Sequence, residues 1–315
     1  MSASSDAVLV TGAAGFAGSH LVELLTGRCD LAGWTRSEPP AALARLARWT
    51  RINLLDRDAV RRAIRDLRPG RIYHLAGAPS VAGSWEQTTG TLTSNVLASH
   101  YLLDAVRRAG CGSRVLVAGS SQIYAGSSSP LDEQSAIAVT SPYGLSKIAQ
   151  EEIGRRVLAE DGIDTILVRP FNHTGPRQKA LFAAPSMARQ IAVGEIAGSP
   201  LVIRVGNLEA KRDISDVRDV VRAYVLLMER GRPGIPYNVA SGVARPIRSV
   251  LDALIAQSKV PVTVELDPER LRPNDTPILV GDAGRLRAAT GWTPEIGFDR
   301  MLTDLLEYWR AEVRN

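Results

Sequence analysis

Short apolar runs alternate with longer stretches of helical periodicity through the first 170 residues of the chain. Short apolar runs are typical of buried strands, whereas apolar positions repeated every three to four residues are typical of amphipathic helices. Their alternation predicts an α/β fold, a doubly wound parallel sheet with helices on both faces. The predicted strands cover residues 7–10, 31–34, 51–54, 71–75, 114–118 and 163–168, and the predicted helices end at residue 25 or span 58–67 and 95–109.

The pattern changes after residue 170, and the remainder predicts a smaller lobe packed against the sheet. Residues 171–200 are expected to be rich in loops, and 267–276 are polar and rich in turn-forming residues. The other segments predict strands at 201–205, 237–240 and 278–280, and helices at 217–228, 250–258, 282–290 and 298–309.

The composition is that of a globular protein, with 45% hydrophobic and 23% charged residues. The formal charge of +5 comes with scattered arginines, without the basic tail or aromatic-rich basic patch that would predict a nucleic-acid partner. No apolar run is long enough to cross a bilayer, and residues 1–6 lack the order of a signal peptide. Cys29 and Cys111 have no metal-ligand spacing and are expected to be reduced thiols, so a cytoplasmic protein is expected, without a metal site.

Three glycines, Gly12, Gly15 and Gly18, separate the first strand from the first helix. Glycines at this junction let a pyrophosphate approach the backbone, where the helix N-terminus offers N–H donors and the positive end of its dipole. A tight turn without a ligand is the alternative, but the strand before and the helix after favour a dinucleotide site.

The end of the second predicted strand carries Thr35, Arg36 and Ser37. An acidic residue here would bind the adenosine ribose of NAD, whereas a guanidinium with hydroxyl groups suits a 2′-phosphate. NADP (as NADPH) is therefore the favoured cofactor, with NAD as the alternative.

The Gly12 loop, Thr35, Asn53, Ala76 and Ser120 all lie at the carboxyl ends of predicted strands. In parallel sheets the ligand binds outside the carboxyl ends of the strands, so these residues are expected to share one edge.

Tyr143 and Lys147 lie one turn apart on a helix whose start is marked by Ser141 and Pro142. A nearby cation favours the phenolate and lowers the tyrosine pKa, which would make Tyr143 a general acid or base. An exposed tyrosine on an ordinary helix is the alternative.

Taken together, the Gly12 loop, the Ser120 strand end and Tyr143-x-x-x-Lys147 resemble the extended short-chain dehydrogenase/reductase family, which implies a Rossmann sheet. Residues 169–178, 206–213 and 267–296 resemble the GDP-mannose 4,6-dehydratases and the GDP-4-keto-6-deoxy-mannose reductases, and are closer to the reductases. The resemblance implies a nucleotide-diphosphate sugar as substrate, with GDP favoured. It also implies a homodimer through the 95–109 helix and the Tyr143 helix.

Gln122 helps to choose between the two reactions, because the dehydratases carry a glutamate two residues after the Ser120 position. An amide exchanges no protons at neutral pH, which favours NADPH-dependent reduction of the C4 keto group over elimination. A dehydratase, a 4-epimerase and a non-catalytic dinucleotide sensor remain the alternatives.

The resemblance also implies roles for individual residues. Tyr143 would donate a proton to the C4 oxygen, Lys147 would hold the nicotinamide ribose, and Ser120 would hydrogen-bond the carbonyl. The implied cofactor contacts are Gly12, Gly15, Phe16, Ala17, Thr35, Arg36, Asn53, Leu54, Leu75, Ala76, Gly77, Tyr143, Lys147 and His173. The implied substrate contacts are Ser121, Gln122, Asn172, Gln178, Arg212 and Arg272.

Three further arginines, Arg177, Arg189 and Arg204, are expected to be solvated surface residues. The predicted NADP-binding domain covers residues 1–170, with 213–240 returning to it. The predicted nucleotide-sugar lobe covers 171–212 and 241–315.

Overall fold

The secondary structure is taken from a computed structural model that describes residues 7–270 and 276–314. The strands are β1 Ala7–Thr11, β2 Asp30–Thr35, β3 Arg48–Arg51, β4 Arg71–His74, β5 Arg114–Ala118, β6 Thr165–Pro170, β7 Asn172–Thr174, β8 Leu201–Val205, β9 Lys211–Asp216, β10 Pro236–Val239, β11 Ala244–Pro246, β12 Val262–Leu266 and β13 Ile278–Leu279. The helices are α1 Phe16–Leu25, α2 Arg57–Leu67, α3 Val81–Glu86, α4 Thr88–Leu92, α5 Ala98–Ala109, α6 Pro142–Asp161, α7 Ala183–Ala197, α8 Val217–Arg230, α9 Ile247–Ile255, α10 Gly284–Thr290 and α11 Phe298–Glu312.

Within the described residues, the main sheet has seven strands in the order β10-β6-β5-β4-β1-β2-β3. Every neighbouring pair in it is parallel, so the predicted doubly wound sheet is confirmed. The strand order reverses between β1 and β4. Outside the carboxyl ends of these two strands lies the crevice where such sheets bind their ligands.

Both faces of the main sheet are buried, as the alternation of side chains along β1 shows. Val8 and Val10 join the apolar cluster that contains α1 and α8, whereas Leu9 joins the cluster that contains α2 and α5. Successive side chains of a strand point to opposite faces, so an uninterrupted apolar run marks a strand that is covered on both sides.

A third apolar cluster lies outside the main sheet and joins helices α7, α9 and α11 to strand β8. Strands β8 and β12 form a parallel pair, while β9 pairs with β7, β11 and β13. Between β9 and β11 the chain returns to the main sheet. There α8 packs against α1, and β10 adds to the sheet beside β6.

The expectation that residues 171–200 are rich in loops is wrong for half of that stretch, which forms the fifteen-residue helix α7. Pro185 lies in the first turn of α7, where a missing N–H costs no hydrogen bond. Gly194, also in α7, packs against Leu201 of β8. Proline and glycine predict helix breaks in general, but here the apolar cluster around α7 outweighs them.

No helix within residues 7–270 and 276–314 has the length and apolar character needed to cross a membrane. In the same part of the chain, no cluster of three or more His, Cys, Asp or Glu side chains is arranged to hold a metal ion.

Candidate active site

Ser120, Tyr143 and Lys147 come together at the carboxyl end of β5. Tyr143 and Lys147 lie in the first two turns of α6, which begins as predicted, with the Ser141 side chain accepting a hydrogen bond from Gly144 N at 3.1 Å. All three side chains are buried, with Tyr143 only 9% exposed. The alternative of an exposed tyrosine on an ordinary helix is therefore wrong.

The phenol of Tyr143 is held in its protonated form. Burial raises the pKa of Tyr143, and a hydrogen bond with Ser120 opposes this rise without cancelling it. The net shift of this pKa is upwards because burial outweighs the other contributions, and the Lys147 ammonium lies 5.7 Å from the ring centroid and donates to the carbonyl of Ala118 at 2.9 Å. A lowering of the Tyr143 pKa by Lys147 stays a prediction. A protonated phenol is the form that donates a proton.

Lys147 is itself perturbed, since burial lowers its pKa to about 8. Its ammonium lies beside the loop after β4, where a Cβ added at Gly77 would be 3.8 Å from Nζ. That Cβ would also lie 2.6 Å from the side-chain oxygen of Asn95, so the bare backbone of Gly77 leaves room for both side chains.

Asn95 is a positioning residue that sequence reasoning missed. It is fully buried in a π-helical turn, residues 93–97, that precedes α5 and overlaps the start of the predicted 95–109 helix. Its side chain accepts from Ala78 N at 2.7 Å and donates to the hydroxyl of Ser146 at 2.8 Å. Asn95 therefore joins the loop after β4 to the helix that carries Tyr143. The signal in the sequence was the polar side chain of Asn95 within a segment of helical periodicity.

The three glycines after β1 form a cradle closed by backbone. Gly12 has φ +68°, and a Cβ there would lie 2.8 Å from backbone atoms of Ala76. A Cβ on Gly18 would lie 2.1 Å from the carbonyl oxygen of Gly12. Helix α1 starts after Gly15, and no side chain caps it. The first N–H groups of the helix can therefore donate hydrogen bonds to an anion. These features fit the pyrophosphate of a dinucleotide.

The predicted adenosine contacts lie at or just after the carboxyl ends of β2 and β3, which are neighbours in the sheet. Thr35 is buried and its hydroxyl accepts from Ser37 N at 3.3 Å, whereas Arg36 is exposed. Arg36 forms no hydrogen bond or ion pair with any residue in the described ranges, so its guanidinium is available to a phosphate. Asn53 is exposed and accepts from Leu55 N at 3.1 Å, and Leu54 beside it is buried.

The loop after β4 lies against the glycine cradle. Leu75 N donates to Thr11 O at 3.3 Å, and Ala76 N donates to the Thr11 hydroxyl at the same distance. Both residues are half-buried, as is Ala17 in the first turn of α1.

His173 contacts helix α1 directly. Its ring stacks on Phe16 with centroids 5.7 Å apart and planes 6° apart. Its Nδ1 lies 3.0 Å from the carbonyl of Phe171, so Nδ1 carries a proton, and burial lowers the pKa of the ring. His173 is therefore a neutral ring on the wall beside Phe16.

The predicted substrate contacts lie on the other side of the cleft. Asn172 is exposed on β7, opposite Ile214 of β9, two residues from Arg212 on the same strand. Gln178 is buried, accepts from the Thr174 hydroxyl at 2.5 Å and donates to His173 O at 3.0 Å. It thereby holds the 172–178 turn together.

The remaining predicted substrate residues are distributed between two elements. Ser121 is buried and Gln122 is half-buried in the 3₁₀ turn after Ser120. Arg212 is about nine-tenths buried and donates to Lys211 O at 2.8 Å. Arg272, the second predicted diphosphate contact, lies outside the described residues.

Comparisons with known proteins agree on the kind of enzyme. The family model described as GDP-mannose 4,6 dehydratase matches residues 9–305. GDP-6-deoxy-D-mannose reductase of Pseudomonas aeruginosa is 32% identical over 98% of this chain and 98% of that protein.

Two solved structures share the whole fold. The NADPH complex of RMD from Pseudomonas aeruginosa has a TM-score of 0.85 at 30% identity, over 98% of this chain and 100% of that chain. The NAD complex of UDP-glucose 4-epimerase from Thermus thermophilus has a TM-score of 0.86 at 27% identity, over 96% and 99%.

The fold and the site define an extended short-chain dehydrogenase/reductase, a class of NAD(P)-dependent oxidoreductases that act on nucleotide sugars. Within this class, the chain belongs to the GDP-mannose 4,6 dehydratase family. Proteins named as reductases and as dehydratases are both among its relatives.

Proposed function

We propose that this enzyme uses NADPH to reduce the C4 keto group of a GDP-4-keto-6-deoxy-hexose, of the kind that gives GDP-D-rhamnose. The observation that carries the proposal is the protonated phenol of Tyr143 beside Ser120, with an amide at Gln122 where elimination needs an acid. The similarity to a GDP-6-deoxy-D-mannose reductase supports the same substrate class.

The chain's own residues provide proton transfer, orientation and charge. NADPH, when bound, supplies the hydride. Tyr143 would donate its proton to the C4 oxygen, and Ser120 would hydrogen-bond that oxygen as negative charge grows on it. Lys147 would hold the ribose next to the nicotinamide, and Arg212 would pair with the diphosphate through its guanidinium fork.

In the same proposal, the chain is divided into a cofactor-binding domain and a substrate-binding lobe. The NADP-binding domain would comprise residues 1–170 and 213–240, and the nucleotide-sugar lobe would comprise 171–212 and 241–315. Arg36 supports NADPH over NADH, because its exposed guanidinium stands where an acidic residue would favour the ribose of NAD.

NADPH absorbance tests the function, with GDP-4-keto-6-deoxy-mannose generated in place by a separate dehydratase. Substrate-dependent loss of absorbance, faster with NADPH than with NADH, is the expected result. Conversion of GDP-mannose itself to a 4-keto sugar would instead identify a dehydratase. Binding of NADPH with neither reaction would point to a dinucleotide sensor.

The pH dependence of the reduction should follow the protonation state of Lys147. The charged form of this lysine is the active one in the proposal, and its pKa is about 8. We therefore expect kcat/KM to be level below that value and to decrease about tenfold per pH unit well above it. Tyr143 stays protonated over this range because burial raises its pKa. The Lys147→Arg variant should lose the alkaline decrease, and a decrease that remains in it would contradict the assignment.

We also propose that the enzyme is a homodimer that associates through α5 and α6. An apolar groove of about 440 Å³ supports this, lined by Leu92, Thr93, Val96, Leu97, His100 and Ile153. Light scattering should give about twice the chain mass of 33.9 kDa. The Leu97→Asp variant, changed at an exposed position, should give the monomer mass.

A further inference from the structure

One stripe of helix α1 contacts the 172–178 segment. Phe16, His20 and Glu23 lie three to four residues apart and so share a face of the helix. Phe16 stacks on His173, the Nε2 of His20 lies 2.9 Å from the carbonyl of Pro176, and Glu23 forms an ion pair with Arg177. The helix that begins at the glycine cradle is thus joined to the segment that carries Asn172.

Arg177 is the centre of this contact. Its two terminal nitrogens donate to the two carboxylate oxygens of Glu23 at 2.5 and 2.6 Å. One of them also donates to Nδ1 of His20 at 2.7 Å. The expectation that Arg177 is merely a solvated arginine is therefore wrong, whereas Arg189 and Arg204 are exposed as expected.

The guanidinium fixes the state of His20. A guanidinium can only donate, so Nδ1 of His20 must accept and Nε2 must carry the proton that is donated to Pro176 O. Burial lowers the pKa of His20 to about 4, which keeps the ring neutral and able to make both bonds. Burial acts to raise the pKa of Glu23, but the hydrogen bond from Arg177 holds it below its usual value.

The backbone of Arg177 departs from ordinary geometry to make this contact. Its φ is +71°, and within the described residues Arg68 is the other non-glycine residue with positive φ. Left-handed backbone at a bulky residue is sparsely populated and persists where surrounding contacts determine it. Arg177 lies two residues after Gly175, whose φ is +151°, so the turn directs the guanidinium back towards α1.

We propose that Arg177 is a positioning residue that joins the 172–178 segment to α1 and so holds the nucleotide-sugar side of the cleft in register with the cofactor side. This inference rests on the proposed function, because it takes Asn172 as a contact of the nucleotide sugar. Arg177 binds Glu23 and His20 of α1 and thereby fixes its own segment to that helix. It touches no reacting atom.

The test is calorimetric titration of GDP-mannose, which a reductase does not turn over, into the NADPH-loaded protein. Arg177→Met and Glu23→Gln should each weaken GDP-mannose binding about tenfold, with the melting temperature little changed. NADPH affinity should decrease less, although His173 of the same segment stacks on Phe16. The double variant should be no weaker than either single variant, since both remove the same contact. Arg177→Lys should be intermediate, because it keeps the charge without the fork.

The matched control is Arg48→Met, which removes an exposed two-bond ion pair with Asp30 at the opposite end of the main sheet. It should leave GDP-mannose binding unchanged. Losses that multiply in the double variant, or equal binding by Arg177→Met and wild type, would overturn the proposal.

Hydrogen exchange separates this proposal from the proposed function. Amides of 172–178 should exchange faster in Arg177→Met and Glu23→Gln than in wild type, with or without a sugar ligand. Wild-type protein that fails to bind GDP-mannose would count against the proposed substrate, whereas unchanged exchange in both variants would count against the role of Arg177.

Discussion

Replacing Tyr143 with phenylalanine should lower kcat for the reduction by about 10²- to 10⁴-fold, the range of a positioned general acid. The hydroxyl is the only group removed, and it is the group that hydrogen-bonds Ser120 and donates the proton in the proposed mechanism. Its raised pKa means that it holds its proton at neutral pH, when the carbonyl oxygen needs one. Steady-state NADPH oxidation at pH 7 measures the loss.

Binding must be followed in parallel, because a folding defect would also abolish turnover. NADPH affinity of Tyr143→Phe should stay close to wild type, since the ring still fills its buried site beside Lys147. Tyr308→Phe removes a hydroxyl from α11 that is not among the proposed catalytic, cofactor or substrate contacts, and it should leave kcat unchanged. A Tyr143→Phe variant with more than about a tenth of wild-type kcat would show that another group supplies the proton.

Local patterns were enough to predict where the candidate site residues at the ends of the parallel strands lie. The glycine cradle and Ser120 follow strands whose apolar runs are unambiguous, and strand ends in a parallel sheet meet at one edge. The helix cap at Ser141 could also be predicted from neighbouring residues, because serine followed by proline marks a helix start.

The contacts between distant segments could not be predicted in this way. Arg177 and Glu23 are separated by 154 positions, and no spacing rule relates them. Asn95 likewise contacts Ala78 and Ser146, which become its neighbours only when the loop after β4 and helix α6 both pack against the π-helical turn. The direction of the Tyr143 pKa shift also depended on burial, which the Tyr-x-x-x-Lys pattern does not report.

Replacing Gly18 with alanine should disrupt the backbone of the glycine cradle. The added Cβ would lie 2.1 Å from Gly12 O, 2.9 Å from Gly12 C and 3.0 Å from the Cα of Ala13. These are backbone atoms that cannot rotate away, so either α1 or the loop after β1 must move. Overpacking of this kind costs about 1–3 kcal/mol or more, although alanine is better than glycine in a helix by about 1 kcal/mol.

The expected result for Gly18→Ala is a loss of NADPH affinity of about 100-fold with a melting temperature lower by a few degrees, because the helix N-terminus no longer meets the loop correctly. Fluorescence titration of NADPH measures the first quantity, and circular dichroism measures the second. Gly90→Ala is the matched control, since its Cβ would meet nothing closer than Gln87 Cβ at 3.9 Å on an exposed turn of α4. That variant should bind NADPH normally. Normal binding by Gly18→Ala as well would mean that the backbone around Gly12 yields easily and does not form the pyrophosphate cradle.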